Sequence, residues 1–289
     1  MSKKLLIVSP FFPPVESVAT NRIISFVKYL TGYDITVISI NDNGNELKRG
    51  RFEVFPNRYI DLIRVPNISF FKKATFKKRG NIILHKMKAL YNRILLATSL
   101  DEYDGWRKAV IKYIRNIDIK EFDILITSFA PLSSHLIGLE IKQLHPKIVW
   151  VADMRDQMGS NIFFPKYYRK KLMHYEKLIV EVADCITGVS KPIVEEFEAL
   201  SKDIGKSVDL LEIRNGFDFE LDLTSKPENK IFTITYAGTF YGDRNPDNFL
   251  KVIENLLKDG VVGDILINFV GVIKPIKVPD ILKDKVKFT

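Results

Sequence analysis

An α/β fold built on parallel sheets is what this sequence of 289 residues predicts, as one complete module followed by an incomplete second one. Three observations predict it. Short β-rich runs alternate with helical patterns from the first residues onward. Several later runs are continuously apolar instead of alternating, the pattern of strands covered on both faces of a parallel sheet. Finally, the strand pattern restarts at Ile231 after a polar stretch from Leu223 to Lys230 that contains Pro227, which divides the chain into 1–222 and 223–289.

Taken in order, Leu5 to Ser9 reads as a strand, Thr20 to Leu30 as a helix and Ile35 to Ser39 as a second strand, a βαβ opening. A polar, glycine-containing loop is expected over Asn41 to Gly50, then a strand at Tyr59 to Val65, and a helix from Tyr103 to Asn116. Asp123 to Thr127, Lys147 to Val151 and Cys185 to Val189 are apolar runs, with helices over Leu132 to Leu144 and Tyr167 to Val182 between them. Asp209 to Arg214 is a short run ahead of the turn signal Asn215-Gly216. In the second module Ile231 to Tyr236 is a strand, Pro246 to Lys258 a helix, Ile265 to Val270 a strand, and Lys285 to Phe288 a further short one.

Composition narrows the function classes. An apolar content of 46% is ample for a buried core. No window reaches the ~18 uninterrupted apolar residues of a membrane span. Met1-Ser-Lys-Lys leads directly into a strand instead of a signal-peptide apolar segment, so a cytoplasmic chain is expected. The single cysteine, Cys185, excludes an intrachain disulfide framework and a Cys-based zinc site, and its apolar strand suits a packed thiol.

The net charge of +9 calls for a polyanionic partner: nucleic acid, an anionic bilayer or a phosphate-bearing substrate. Basic residues crowd into Lys72 to Arg93 and into Lys166 to Lys177. In the first cluster Ile83, Met87, Leu90 and Ile94 recur at helical spacing with cationic residues between them. Such a helix can lie on an anionic membrane, or its apolar stripe can pack on its own core with the lysines solvated. Nucleic acid is not expected, since no helix-turn-helix, zinc-finger or RNA-binding signature accompanies the charge.

Ligands of open α/β sheets bind beyond the carboxyl ends of strands. There the first strand runs into Ser9-Pro-Phe-Phe-Pro-Pro14-Val-Glu16-Ser17, feeding a helix with Asn21 and Arg22. The Asp123 strand runs into Thr127-Ser128-Phe-Ala-Pro131-Leu-Ser-Ser134, where Ser133 or Ser134 could cap the next helix and offer backbone N–H groups to an anion. The Lys147 strand ends in Ala152-Asp153-Met-Arg155-Asp156. Two carboxylates around a guanidinium at a strand end are costly unless paired or used, so either the acids serve a substrate or Arg155 bridges them to a neighbouring loop.

The ordered set of these motifs, continued by Gly188-Val-Ser190, Asn215-Gly-Phe-Asp218 and Tyr236-Ala-Gly238-Thr-Phe-Tyr-Gly-Asp-Arg244, resembles glycosyltransferase family 4 over essentially the whole chain. The resemblance implies the GT-B architecture, two Rossmann-like domains facing each other across a cleft, with the second cut short here. It further implies a retaining, metal-independent transfer of a hexose from a nucleotide-diphosphate sugar, with no cofactor beyond that donor substrate. The acceptor it implies is a glycan or lipid-linked acceptor in cell-surface polysaccharide synthesis, at the inner face of a bacterial membrane. Carried over by position, Pro14, Glu16 and Ser17 line the cleft with Arg22, Ser128 and Pro131. Asp153 and Asp156 face the acceptor as catalytic residues, with Arg155 between them. Asn215 ends the first domain, Gly238 lets a loop approach the donor diphosphate, and Arg244 is its cation. Two departures stand out. Glu16-Ser17 replaces a Gly-Gly pair, where a carboxylate repels the donor, and the pair of glutamates eight apart that holds the donor sugar is absent, Glu212 and Glu220 matching it only in spacing. Alternative readings are an acceptor-binding or membrane-docking half completed by a separate donor-domain polypeptide, or an inactive remnant.

Overall fold

The computed structural model describes residues 2–41, 44–68, 101–217, 231–240, 244–272 and 275–289, together with Met87, Leu90, Tyr91 and Ile94. The chain forms two compact units, Met1–Asp218 and Phe219–Thr289.

In the first unit the strands are β1 (Lys3–Val8), β2 (Tyr33–Asn41), β3 (Lys48–Phe55), β4 (Arg58–Pro66), β5 (Ile124–Phe129), β6 (Val149–Met154), β7 (Cys185–Gly188) and β8 (Asp209–Glu212). Their order is β3-β4-β2-β1-β5-β6-β7-β8, parallel except for β3, which runs antiparallel to β4. The helices are α1 (Val18–Tyr29), α2 (Asp104–Ile114), α3 (Leu132–Leu144), α4 (Lys166–Val182) and α5 (Lys191–Asp203).

Successive strand residues point to opposite faces, so the two-residue period sorts the core into layers. Leu5 and Ile7 of β1, Ile35 and Val37 of β2, and Ile60 and Leu62 of β4 join Ile23 and Val27 of α1 on one face. Leu6 and Val8, Ile38 and Ile40, and Ile63 and Val65 join the other, larger cluster with Trp106, Ile137, Leu172 and Phe197 of α2 to α5. Gly138 of α3 sits where a Cβ would press into the Trp150 indole, so its missing side chain sets how closely that helix lies on β6.

The second unit has β9 (Phe232–Ala237), α6 (Asp247–Lys258), β10 (Ile265–Val270) and β11 (Val286–Phe288). Its parallel sheet is ordered β11-β10-β9, and Leu250, Ile253, Ile265, Ile267, Phe269 and Leu282 make its core.

Two elements differ from the sequence reading. The expected loop over Asn41 to Gly50 gives way to β3 from Lys48; its Lys, Arg and Glu content hides a strand, and charged residues suit a sheet edge that must not pair further. The helix α5 is not among the expected elements, although Ile193, Phe197 and Leu200 recur at helical spacing and Pro192 in its first turn is a start signal. Most of the basic segment Lys72 to Arg93 lies outside the described residues; of its apolar stripe, Met87, Leu90 and Ile94 are described, and all three are exposed.

Candidate functional site

Because β6 extends through Met154, Asp153 belongs to the strand itself and not to the loop beyond it, and it is 0% exposed. A buried carboxylate needs partners on both oxygens. Arg22, from the middle of α1, supplies most of them: its Nε donates to Oδ1 and Oδ2 at 3.2 and 2.9 Å, and Nη2 donates to Oδ1 at 2.6 Å. Ser128 Oγ at the end of β5 donates to Oδ2 at 2.8 Å, and Thr187 Oγ1 at the end of β7 donates to Oδ1 at 2.7 Å. The remaining arm of Arg22, Nη1, donates to Asn215 Oδ1 at 3.1 Å, and its guanidinium lies 5.0 Å from the Phe26 ring. One charge pair thus gathers α1, β5, β6, β7 and the end of the first unit.

Asp153, expected to face the acceptor, is thus enclosed within the sheet. With both oxygens taken and no exposed surface, its carboxylate has no face left for an acceptor hydroxyl, and Arg22 and Ser128 are committed to it. Asp156 differs: it lies past the strand and is exposed.

Arg155 is half-buried between the two acids. Its Nε donates to Ser128 Oγ at 3.0 Å, Nη2 donates to the Ala130 carbonyl, and the guanidinium stands 5.5 Å from the Phe11 ring. Burial lowers its pKa from the ordinary arginine value, and the nearby Asp156 and Asp153 charges counter that. Arg155 therefore reaches the β5 loop and shares Ser128 Oγ with Asp153. Phe11 also meets the Tyr103 ring edge-on, at 5.7 Å between centroids.

The helix after β5 does not offer its N-terminus to an external anion. Pro131, buried, occupies the cap position without a side-chain bond, and the carboxylate of Asp101 fills the seat. Ser133 N–H donates to Asp101 Oδ2 at 2.7 Å, Ser133 Oγ to Oδ1 at 2.5 Å, and Tyr103 N–H to Oδ1 at 2.8 Å. Burial raises the pKa of Asp101, against the lowering effect of these donors. Neither Ser133 nor Ser134 caps as expected.

The proline loop is braced from outside the motif. Arg64 of β4 donates through Nη2 to the Pro13 carbonyl and through Nη1 to the Ile40 carbonyl at 3.4 Å. Pro14 and Glu16 are exposed, and Ser17 caps α1, its Oγ accepting Thr20 N–H at 3.0 Å. Beneath the site, Trp150 Nε1 donates to Thr127 Oγ1 at 2.8 Å, Thr127 Oγ1 lies 2.6 Å from His135 Nδ1, and His135 Nε2 lies 3.3 Å from the Met154 sulfur. Thr127 O–H donating to Nδ1 and Nε2–H pointing at sulfur gives every group a partner. Burial pushes His135 down to about 3, so it is a neutral packing histidine, in line with the helical pattern around it.

In the second unit Gly238 follows β9 with φ of +143°, a backbone that side chains rarely adopt, and its N–H bonds the Val270 carbonyl at 2.9 Å. Gly271 follows β10 with φ of +76°, and its carbonyl accepts Thr239 Oγ1 at 3.2 Å. Two glycine turns therefore adjoin at the carboxyl ends of neighbouring parallel strands. Arg244 is exposed beyond the first of them. Gly216, of the turn signal at the chain exit, is not in a left-handed conformation, and a Cβ there meets nothing. Thr187, Asp101, Arg64 and Gly271 were not among the sequence candidates. Thr187 and Gly271 sit where the strand-end rule points; Asp101 and Arg64 carry no local signal. Among the described residues no group of three or more His, Cys, Asp or Glu could hold a metal ion, and no helix is long and apolar enough to cross a membrane.

No family model and no curated protein matches the chain. Solved structures do. The chain is similar to the N-terminal domain of trehalose-6-phosphate phosphatase from Candida albicans, at 12% identity and a TM-score of 0.54, covering 93% of this chain and 64% of that one. It is similar to α,α-trehalose 6-phosphate synthase from Burkholderia multivorans, at 9% identity and 0.55, with 93% and 65% covered. It is also similar to HepE from Anabaena in complex with UDP and glucose, at 12% identity and 0.53, with 99% and 68% covered. The chain spans about two thirds of the length of these structures. At such identities the likeness concerns the fold, and that fold is GT-B-like: a mostly parallel eight-stranded sheet unit followed by a smaller parallel one.

Proposed function

We propose that the chain serves glycosyl transfer: a hexose leaves a nucleotide-diphosphate sugar, with retention and without a metal, for a hydroxyl of a glycan or lipid-linked acceptor in cell-surface polysaccharide synthesis. The observation that carries the reading is the pair of glycine turns, Gly238 and Gly271, at the carboxyl ends of adjacent parallel strands in a GT-B-like fold. A backbone without Cβ atoms can approach a diphosphate closely, and its N–H groups stabilise the charge that grows there as the anomeric C–O bond breaks. Arg244 adds a guanidinium fork for the same oxygens. On the first unit, Asp156 orients the acceptor hydroxyl with Arg155 beside it, while Glu16 keeps the donor phosphates away from the loop that carries Pro14. Family 4 membership rests on the motif order alone, and an anionic membrane approached through Lys72 to Arg93 belongs to the same proposal.

The test is calorimetric titration of the purified chain with UDP-glucose and with UDP. Saturable binding is expected, weakened roughly 10–100-fold by Arg244→Ala, the weight of a charge-assisted bidentate contact. Gly238→Val should weaken it as well, because valine resists that backbone conformation. No detectable binding of any nucleotide-diphosphate sugar overturns the reading. Given binding, release of UDP on addition of membrane lipid extract, slowed by Asp156→Asn with donor affinity unchanged, supports the acceptor role.

A further inference from the structure

Among the described residues the two sheets have four edge strands, and three of them are guarded. The strand β3 carries Lys48, Arg49, Arg51 and Glu53, β8 spans 4 residues with Asp209 and Glu212 at its ends, and β11 spans 3 with Lys287 at its centre. Charge and shortness keep an edge from pairing with another chain. The fourth, β9, stands last in the order β11-β10-β9 and has neither protection. From Ile231 to Ala237 it reads Ile-Phe-Thr-Ile-Thr-Tyr-Ala, with no charge and no proline, and with β-branched or aromatic residues everywhere but the last position. Phe232 is 68% exposed, Ile231 44% and Tyr236 37%.

One backbone bond fixes which groups face outward. Gly238 N–H donates to the Val270 carbonyl of β10. Residues of a strand alternate in the edge to which they turn their N–H and C=O groups, so the even-numbered residues of β9 serve β10 and the odd-numbered ones, Thr233, Thr235 and Ala237, address the open edge. Among the described residues no strand takes these groups up. Side chains alternate between faces in the same rhythm: Phe232, Ile234 and Tyr236 share the face of Ile265, Ile267 and Phe269, and Thr233 and Thr235 lie on the reverse. Read from either end, Phe232-Thr-Ile-Thr-Tyr236 has the same chemical order, aromatic, threonine, isoleucine, threonine, aromatic.

We propose that β9 pairs along this edge with β9 of a second copy of the chain, antiparallel and centred on Ile234. A two-fold interface must be self-complementary, and this segment is: Phe232 meets the partner's Tyr236, Thr233 meets the partner's Thr235, and Ile234 meets its own counterpart. The outward-facing odd residues then exchange the hydrogen bonds, and the even residues form the closer non-hydrogen-bonded pairs, with Cα atoms ~4.5 Å apart. Centring on Thr233 or Thr235 instead would set Ile234 against an aromatic ring and leave one end of the segment unpaired. Any strand could bond the same backbone; the palindromic order is what points to a second copy. The pairing joins the two small sheets into one and consumes the edge that could recruit a third chain, so it closes at the dimer. Nothing in the inference rests on sugar transfer, and its test reads no turnover.

The experiment is sedimentation equilibrium of the full chain over a concentration series. Exchange between monomer and dimer is expected, with a dissociation constant on the order of 10–100 μM, since one strand pair buries less than the ~800 Å² per partner of a stable complex. Each copy carries a net charge of +9, so association should tighten as salt screens the repulsion. Thr235→Pro should weaken it roughly 30-fold, because the N–H it removes points at the partner and not at β10, and far-ultraviolet circular dichroism should stay unchanged. Phe232→Lys, altered at a side chain already 68% exposed, should weaken it at least about tenfold by setting a charge against the partner's Tyr236. Ile234→Cys in a Cys185→Ser background should give a covalent dimer on mild oxidation with diamide, because the residue on the two-fold axis faces its counterpart. Phe232→Cys in the same background should not, its counterpart lying about 13 Å away along the strand. The proposal is overturned if the wild type is monomeric at about 1 mM, if Thr235→Pro and Phe232→Lys both associate as tightly as the wild type, or if Phe232→Cys cross-links as readily as Ile234→Cys.

Discussion

Arg22 and Asp153 show how much one buried ion pair can decide. Their side chains are 4% and 0% exposed, and taking two such charges out of water is repaid only by the bonds they make to each other and to Ser128, Thr187 and Asn215. Arg22→Ala should therefore cost about 3–5 kcal/mol in urea denaturation, because Asp153 remains buried without its cation. Replacing both partners, Arg22→Met with Asp153→Leu, should recover much of that loss; a double variant no more stable than the single one would show that the pair does more than neutralise itself. His135 behaves differently with pH. Its folded value of about 3 lies below the ordinary 6.5, so the unfolded chain takes up a proton that the folded one refuses. Stability from this residue is therefore intact above about 6.5 and falls by roughly 1.4 kcal/mol per pH unit below it until the folded value is reached. His135→Leu should flatten the acid side of the stability profile; an unchanged slope would mean that other groups set it.

Among the elements, α3 is the most dependent on a distant residue. Asp101 accepts two bonds from Ser133 and one from Tyr103, so Asp101→Ala should destabilise the chain by about 1–2 kcal/mol and raise hydrogen exchange in the first turn of α3 more than in its last. Equal exchange throughout the helix would place the cap elsewhere. This is also where legibility in the sequence ends. The apolar runs of β1 and β5 announce themselves because burial on both faces favours Val, Ile and Leu in succession, and α3 is readable over its whole length from its spacing. An edge strand such as β3 is selected for charge as much as for β propensity, so Lys48 to Glu53 looks like loop. At the site, position along a strand is readable but burial is not: Asp153 and Asp156 look alike in sequence, and only the length of β6 separates a sealed carboxylate from an exposed one. Asp101, thirty-two residues before the amide it binds, is invisible to any local rule.

For the molecule as a whole, the two units carry separate cores of very different extent. The first joins two large clusters across its sheet; the second rests on Leu250, Ile253, Ile265, Ile267, Phe269 and Leu282. Small cores hide a lower share of their chain from water, so calorimetry should resolve two transitions, with the second unit melting first. Phe269→Ala should move only that lower transition, by about 3–5 kcal/mol of local stability, and a single transition shifted as a whole would show that the units unfold together. The contact between Arg22 and Asn215 bears on the same question. Asn215 stands just before the end of the first unit at Asp218, and the guanidinium that grips it is the one that keeps Asp153 neutralised. The outgoing chain is thus anchored, at Asn215, to the carboxyl end of the first sheet. Cutting that anchor, as in Asn215→Ala, would be felt first as a loosened arginine beneath the strand ends.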